Sequence, residues 1–391
     1  MRRYLWVLFV SYLLIIAVVS GSTYLSGQAG KQQEKDAKSI TVYTALPLEQ
    51  IEPLAQDFES SQGIRVNIVP LSENDLITRV NSEKSTPQAD LVLANQSVLE
   101  QLKTAKALLP YTSEQTDIIP HRFVDKDNYW TGIWYDPIVF AVNRDFLKKM
   151  PQPLTKWTNL VQASDSANVN TASHENEANP ASQPDNNKDV HVSDRTTTDA
   201  KLATKPAAAV NNLRVGITDF LASEASANLL YTLVSVNGEN QTLAFFKQLH
   251  PHIVQYAKFL ATPVRMAALS EVDIAIAVQS EAMRYVRDNF PLTILYPEEG
   301  TAYLLTGAAL VKDSSHSAEA KQFLEWLIQD HAQAVLQKNK LYFIPANPAN
   351  QAYKEYEAQN IKLLENRVND REQQRQLLDR WVATVRLNTK Q

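Results

Sequence analysis

The hydrophobic pattern of residues 40–145 alternates between the period of β-strands and the period of α-helices. Short apolar runs predict strands, and apolar residues three and four positions apart predict helices. The predicted strands are 40–44, 64–69, 89–94 and 138–142. The predicted helices are 48–61, 76–83 and 97–107. Gly63 ends the first helix, and Ser97 with Glu100 has capping-box spacing at the start of the third. This order predicts one lobe of a parallel α/β sheet.

A second series of alternating elements begins after residue 212. Its predicted strands are 213–217, 253–257, 273–278, 292–295 and 302–311. Its predicted helices are 222–236, 240–250, 262–270, 318–329 and 333–338. The repeated strand–helix order predicts a second parallel lobe. The charged end, 350–391, is predicted to be helical, with an apolar stripe at Leu363, Leu364, Val368, Leu377, Leu378, Trp381 and Val385. That stripe predicts packing, and a solvated arm that contacts a partner is the alternative.

Residues 163–212 interrupt this pattern. The segment contains no Phe, Tyr, Trp, Ile, Met or Gly and is rich in Asn, Asp, Ser, Thr and Ala. Such a composition buries too little apolar surface to offset the entropy of ordering, so we expect disorder or a solvated excursion. A charge-patterned binding tail is the alternative. Because both flanks continue the α/β pattern, the segment is interpreted as an insertion.

Residues 1–29 have the features of an export signal. Arg2 and Arg3 precede an apolar run from Tyr4 to Val19, and small residues follow. The run is short for a membrane span, which needs about 20 residues. We therefore expect a signal peptide, with an uncleaved anchor as the alternative, and a tether at 30–39. The bulk of the chain is expected in the periplasm or another extracytoplasmic space.

Composition excludes several function classes. The formal net charge is -5, so no global basic field points to nucleic acid. The chain has 0 cysteines, which removes thiol catalysis, thiolate zinc sites and disulfides. It contains no Walker sequence, no nucleophile elbow and no metal-spaced histidines. A binding protein is therefore favoured over an enzyme, and an exported hydrolase is the least favoured reading.

Several phrases, in this order, resemble one family of proteins. They are ITVYTA, GIRVNIV, PQADLVLA, WTGIWYDPIVFAVN, LRVGITDFLASEASANLL and TAYLLTGAALVKDSSHSAEAKQFLEWLIQDHAQ. The set is similar to the periplasmic solute-binding proteins of ABC transporters, in the branch with ferric-, phosphonate- and hexose-phosphate-binding members. The similarity covers roughly residues 40 to 348 apart from the insertion.

The resemblance implies an α/β, two-lobed periplasmic-binding-protein (type II-like) fold with hinge strands between the lobes. The expected divisions are 40–142 for the first part of lobe 1, 143–304 for lobe 2 with its insertion, and 305–391 for the return to lobe 1 and the C-terminal helices. A small-molecule ligand would be closed between the lobes and delivered to an ABC permease in the inner membrane. No cofactor and no catalytic residue is expected, and the protein is expected to be a monomer.

Candidate ligand-binding residues follow the strands of each lobe. In lobe 1 they are Thr44, Ala45, Asn95 and Trp134; capping by Thr44 and core packing of Trp134 are the competing interpretations. In lobe 2 they are Asp219, Ser223, Thr262, Arg265, Gln279 and Tyr303. The Arg265 guanidinium is the favoured clamp for a phosphate or carboxylate, and a surface salt bridge is its alternative.

The ligand is expected to be small, polar and anionic. Relatives that bind ferric ion characteristically carry adjacent tyrosines, and this chain has no Tyr-Tyr pair. His250 and His252 lack an evident third ligand, so no metal site is assigned. A phosphorylated or phosphonate compound is therefore favoured over ferric ion. The alternative function is a membrane-anchored sensing module that reports ligand occupancy to a signalling partner.

Overall fold

The computed structural model describes residues 38–150, 152–161, 213–366 and 370–387. The predicted export signal and the insertion at 163–212 lie outside the described residues. The chain divides into two compact units. Unit 1 comprises residues up to Tyr135 together with 305–355, and unit 2 comprises 136–304 together with 356–391. Among the described residues, none of the helices is both long enough and apolar enough to cross a membrane.

The secondary structure follows the predicted alternation. The strands are β1 Ser39–Thr44, β2 Arg65–Pro70, β3 Leu91–Asn95, β4 Leu108–Leu109, β5 Thr131–Asn143, β6 Val215–Thr218, β7 Ile253–Ala257, β8 Ile274–Val278, β9 Leu292–Leu295, β10 Tyr303–Val311 and β11 Ile344–Pro345. The helices up to the middle of unit 2 are α1 Leu48–Gln62, α2 Glu73–Ser82, α3 Gln96–Thr104, α4 Glu114–Asp117, α5 Arg144–Leu147, α6 Glu224–Asn237 and α7 Glu239–Leu249. The remaining helices are α8 Ala261–Ala268, α9 Gln279–Arg287, α10 Ser317–Leu327, α11 Asp330–Lys338, α12 Gln351–Glu357 and α13 Arg371–Trp381.

Unit 1 is built on a sheet in which β1 lies between β2 and β3 and pairs parallel with both. β10 continues the sheet antiparallel to β3. Ile51, Leu54 and Phe58 of α1 are fully buried, which is the face that the helical spacing predicts. Gly63 ends α1 with a φ of 68°, a left-handed conformation that glycine adopts without steric penalty.

Unit 2 repeats the arrangement. β6 lies between β7 and β8 and pairs parallel with both, and β8 pairs antiparallel with β5. The hydrophobic core on one sheet face includes Ile217, Phe220 and Trp381, and the core on the other includes Val264 and Ala277. The apolar runs that predicted strands therefore have both faces covered, as parallel strands require.

Two strands run through the boundary between the units. β5 begins at Thr131, seven residues before the predicted start, and all of its residues are buried. The unit boundary falls within β5, between Tyr135 and Asp136, and not after residue 142. The second change of unit along the chain lies within β10, between Leu304 and Leu305.

Three local expectations are corrected. α3 begins at Gln96 with Asn95 at the N-cap position, so Ser97 lies inside the first turn. Glu100 does not complete a capping box; its Oε1 accepts a hydrogen bond from Trp130 Nε1 at 3.1 Å. The predicted helix 350–391 is broken after α12, because Leu363 forms a parallel bridge with Thr301.

The C-terminal segment belongs to unit 2, and it does not return to lobe 1. α13 continues as a π-helix, Val382–Arg386. Leu377, Trp381 and Val385 are buried in the unit 2 core, so these positions of the apolar stripe serve packing. Val368 lies outside the described residues.

Candidate functional site

Polar residues meet at the C-terminal ends of β1 and β3 in unit 1. Asn95 ends β3 and is 8% exposed, and its register partner on β10 is Thr306. The Thr306 hydroxyl donates to Asn95 Oδ1 at 3.3 Å. α3 follows Asn95 directly, and the Asn95 side chain makes no capping hydrogen bond to it. The first backbone N–H groups of α3 therefore lie at this edge, where a helix N-terminus favours an anionic or polar ligand group.

Thr44 lies at the same edge but has a structural role. Its hydroxyl donates to the Leu93 carbonyl at 2.8 Å and accepts from the Leu46 N–H at 3.1 Å. Because the residue is fully buried, these bonds tie β1 to β3 and hold the turn before α1. Ala45 is partly buried and begins this turn. The capping interpretation of Thr44 fits the structure, and a ligand contact does not.

Trp134 packs in the core of unit 1. The side chain is 2% exposed and stacks on Phe343 with ring centroids 5.3 Å apart. Tyr135 beside it stacks on Phe123 at 4.7 Å. Core packing therefore explains both aromatic residues, and the predicted ligand contact of Trp134 is corrected.

In unit 2, three helices begin directly beyond the C-terminal ends of β6, β7 and β8. These helices are α6, α8 and α9, and the N-cap residue of none of them makes a side-chain capping bond. At α9 the cap comes from β5, because Asp136 Oδ1 accepts from the Ser280 N–H at 2.9 Å. Some other helices do have a side-chain cap of their own, among them α2 with Ser72, α5 with Asn143 and α13 with Asp370. Ser223 occupies the N-cap position of α6 and Thr262 lies in the first turn of α8. At these strand ends of unit 2, the hydroxyls of Ser223 and Thr262 and the first backbone N–H groups of α6 and α8 are therefore donors that a ligand can use.

The Asp219 carboxylate forms an ion pair with Arg386. Its Oδ2 accepts from Arg386 Nε at 3.0 Å, and its Oδ1 accepts from the Leu221 N–H at 3.0 Å. The Arg386 guanidinium also lies 4.4 Å from the Tyr256 ring centroid, and the Tyr256 hydroxyl is 2.8 Å from His250 Nδ1. Asp219 therefore fixes the C-terminal segment to the sheet. Sequence reasoning missed this partner because Arg386 is 167 residues away.

Arg265 does not lie at the ligand edge. It is the fifth residue of α8, and its Nη1 is 3.4 Å from Glu271 Oε1. Glu271 precedes β8, so the pair lies toward the N-terminal ends of the parallel strands. Both side chains are nearly half exposed. The structure therefore supports the alternative interpretation of Arg265, a surface salt bridge, and corrects the prediction that it clamps the ligand.

A buried polar cluster surrounds the start of α9. Asp136 accepts hydrogen bonds from the Ser280 N–H at 2.9 Å and from the Ser280 hydroxyl at 2.5 Å. Burial raises the pKa of the Asp136 carboxyl to about 7, although the Ser280 bonds act in the opposite direction. An aspartate inside the apolar run WYDPIVF was the sequence signal for this residue.

Gln279 links two phenols in the same region. Its Nε2 donates to the Tyr356 hydroxyl at 2.6 Å, and its Oε1 accepts from the Tyr296 hydroxyl at 3.0 Å. The side chain is fully buried. Tyr303 is 9% exposed, and its carbonyl accepts from Asn228 Nδ2 at 2.8 Å. The structure therefore places both predicted residues in the interior of unit 2.

The described histidine and carboxylate side chains do not group around a metal position. Among residues 38–150, 152–161, 213–366 and 370–387, no group of three His, Cys, Asp or Glu side chains could hold a metal ion. His250 is buried against Tyr256, as described above.

Comparison with known proteins gives consistent matches over most of the chain. Residues 53–362 match the family described as bacterial extracellular solute-binding protein. The iron uptake protein A1 of Synechocystis is 22% identical over 388 residues, covering 91% of this chain and 92% of the relative. The periplasmic binding protein AfuA from Actinobacillus pleuropneumoniae, solved with fructose-6-phosphate bound, is 21% identical, with a TM-score of 0.63 over 90% of this chain and 99% of that chain. The ferric binding protein of Bordetella is 16% identical, with a TM-score of 0.62 over 89% of this chain and 100% of that chain.

These likenesses establish the fold. It is α/β, with the two lobes of the type II-like periplasmic binding proteins and with hinge strands between them. The strands that run through the unit boundary are β5 and β10.

Proposed function

Because the chain belongs to the bacterial extracellular solute-binding proteins, we propose that it is the substrate-binding protein of an ABC importer for a small anionic solute. A phosphorylated or phosphonate compound is favoured over ferric ion. The protein would bind this solute without transforming it and deliver it to an ABC permease in the inner membrane. It would act as a monomer in the periplasm, where an uncleaved N-terminal segment could anchor it.

The observation that carries the anionic class is the set of helix N-termini at the strand ends. In unit 1, α3 begins after β3 without a side-chain cap. In unit 2, α6 and α8 begin after β6 and β7 in the same way. Each helix N-terminus has about half a positive elementary charge, and its N–H groups match phosphoryl oxygens. The fructose-6-phosphate bound by AfuA belongs to this ligand class.

Side-chain hydroxyls and amides support a polar ligand. Asn95 and Thr306 provide them at the edge of unit 1, and Ser223 and Thr262 provide them at the edge of unit 2. Ferric ion instead requires hard anionic donors such as phenolates and carboxylates. The described carboxylate at this edge of β6, Asp219, is paired with Arg386. This inventory favours an oxyanion over a bare cation.

The ligand class can be tested with the purified protein. Mass spectrometry of small molecules released on denaturation should identify a phosphorylated or phosphonate compound. Fructose-6-phosphate, inorganic phosphate, methylphosphonate and ferric citrate should then be compared by thermal shift, because a ligand that binds the folded state raises Tm. A Tm increase with ferric citrate alone would reverse the preference stated here. Fructose without its phosphate is the matched control and should leave Tm unchanged.

A further inference from the structure

The N-terminus of α9 is held by a carboxyl group of the protein itself. α6, α8 and α9 all begin beyond the carboxyl ends of the parallel strands of unit 2. At α9, Asp136 accepts hydrogen bonds from the Ser280 N–H and from the Ser280 hydroxyl. The proposed function places the anionic ligand at the other two helices, α6 and α8. One edge of the sheet therefore carries both a protein carboxyl group and the position proposed for the negative charge of the ligand.

Asp136 lies close to the first turn of α6. Ile138 pairs with Val278, the last residue of β8, so Asp136 is level with the carboxyl end of that strand. Alternate residues of a strand share a face, and Ile138 belongs to the same hydrophobic core as Ala225 of α6, so Asp136 lies on the face that α6 covers. β5, β8 and β6 are consecutive strands of the sheet, and neighbouring strands are about 4.8 Å apart. The distance from Asp136 to an anion at the end of β6 is therefore on the order of 10 Å.

Burial makes the Asp136 carboxyl group responsive to a nearby charge. The residue is 6% exposed, and burial raises its pKa to about 7, so both protonation states are present near neutral pH. Two unit charges about 10 Å apart, at an effective dielectric constant of about 20, change each other's equilibrium by about ten-fold. An anion at the strand ends therefore favours the protonated form of Asp136. By linkage, the protonated form of Asp136 favours the anion.

Other ionisable groups lie on the elements around Asp136. Glu281, in the first turn of α9, acts on Asp136 in the same direction as burial and is itself paired with Arg284. Further ionisable groups on these elements are three phenols, one carboxylate and one ion pair: Tyr296, Tyr303, Tyr356, Glu224 and Asp219 with Arg386. All of these groups are common to the wild type and to an Asp136 variant, so a comparison of the two proteins isolates the Asp136 carboxyl group.

We propose that Asp136 couples ligand charge to a proton: when an anionic ligand binds at the strand ends of unit 2, the Asp136 carboxylate takes up one proton from the solvent. The Ser280 contact can persist, because the new O–H donates to the Ser280 hydroxyl, which changes from donor to acceptor. The inference rests on the proposed function and deepens it, since Asp136 then discriminates solutes by charge. A neutral solute at the same position would draw no proton.

Proton uptake is measured by isothermal titration calorimetry of the full-length protein at pH 7, in two buffers with different ionisation enthalpies. The probes are fructose-6-phosphate and inorganic phosphate. The wild type should take up about 0.4 proton more per bound ligand than Asp136→Asn, since a ten-fold coupling raises the protonated fraction from about half to about nine-tenths. Protons exchanged by the phosphate group itself are common to both proteins and cancel in this difference.

Asp273→Asn is the matched control. Asp273 is also a buried aspartate of unit 2, but it directly precedes β8 and so lies at the opposite end of that strand from Ser280. This variant should take up as many protons as the wild type. Between pH 6 and pH 8, the affinity of the wild type should fall about five-fold more than that of Asp136→Asn, whereas Asp273→Asn should follow the wild type.

Infrared difference spectroscopy gives a readout on the wild type that needs no variant. The carbonyl band of a protonated carboxyl group should increase when fructose-6-phosphate is added at pH 7. Equal proton uptake in the wild type and Asp136→Asn, or binding without an increase in this band, would overturn the role of Asp136 and leave the proposed function standing. Absence of binding of both probes to the wild type would instead overturn the phosphoryl class, and this inference with it.

Discussion

The carboxylate of Asp136 is held by Ser280 at the first turn of α9, through one backbone and one hydroxyl hydrogen bond. Asp136 is the first residue of unit 2 on β5, so this contact fixes the strand just beyond the unit boundary. The helix N-terminus and the two bonds stabilise the charged form, while complete burial destabilises it. Burial is the larger effect, which makes this contact sensitive to pH.

The stability of the protein should fall as pH rises through the titration of Asp136. The folded state raises the pKa to about 7 from 3.8, so between these values the folded state keeps a proton that the unfolded state loses. The free energy of unfolding contributed by this group therefore decreases from about pH 4 to about pH 7, by on the order of 4 kcal/mol in total.

Asp136→Asn should remove this decrease of the free energy of unfolding with pH. It should keep both contacts, because an amide can accept from the Ser280 N–H and donate to the Ser280 hydroxyl. Urea unfolding of the variant and the wild type at pH 5 and pH 8 measures the difference. Equal pH dependence in the two proteins would show that Asp136 does not titrate in this range.

The ion pair between Asp219 and Arg386 should couple the C-terminal segment to β6. The two side chains are 17% and 36% exposed, so we expect a coupling free energy of about 1 kcal/mol in a double-mutant cycle with Asp219→Asn and Arg386→Ala. Arg386→Lys should recover only part of it, because lysine lacks the planar group that stacks on Tyr256. The Arg375–Glu372 pair, with side chains 70% and 54% exposed, is the control and should give a coupling near zero. Similar coupling in both cycles would argue against a role in docking the segment.

Two serines at helix N-termini should differ in how much an alanine substitution changes the free energy of unfolding. The Ser72 side chain accepts from the Asp75 N–H and caps α2, so Ser72→Ala should lower the free energy of unfolding by about 1 kcal/mol. Ser223 makes no side-chain capping bond at α6, so Ser223→Ala should change stability by less than about 0.5 kcal/mol. If Ser223 serves the ligand, its variant should instead weaken binding of the solute that mass spectrometry identifies. A Ser223→Ala protein with normal affinity and reduced stability would assign the residue to the fold alone.

Removal of the Arg265 guanidinium should have little effect. The pair with Glu271 is nearly half exposed on both sides, so Arg265→Ala should change the free energy of unfolding by less than about 1 kcal/mol. Ligand affinity should be unchanged, because the side chain points along α8 toward the N-terminal ends of the strands. The Tm without solute checks the stability, and the increase in Tm with the identified solute checks the affinity. A large loss of affinity would restore Arg265 as a ligand clamp.

Local patterns in the sequence predicted most elements to within a few residues. Strand 253–257 has the predicted bounds, and α1 differs from its prediction by one residue, because amphipathic spacing and Gly63 act within one turn of chain. The start of α3 was wrong because Ser97 and Asn95 are both acceptable caps, and β3 continues through Asn95. The broken C-terminal helix was missed because the bridge of Leu363 to Thr301 joins residues distant in sequence.

The candidate site was less predictable than the fold. The strand order placed Asn95, Ser223 and Thr262 at the ends of parallel strands, because chain direction alone decides which edge a loop occupies. The sequence could not assign partners. Asp219 forms an ion pair with Arg386, and Arg265 forms one with Glu271. Trp134 stacks on Phe343. The Thr218 hydroxyl has no hydrogen-bond partner among the described residues.

The sequence by itself determined the alternation of strands and helices, the two α/β lobes and the family. These follow from hydrophobic periodicity and motif order, which are local properties of the chain. The tertiary structure decided which polar side chains remain for a ligand, because hydrogen bonds and ion pairs between residues far apart in sequence occupy some and leave others. It also decided that Asp136 titrates near neutral pH, since burial is a property of the packed fold and not of the residue.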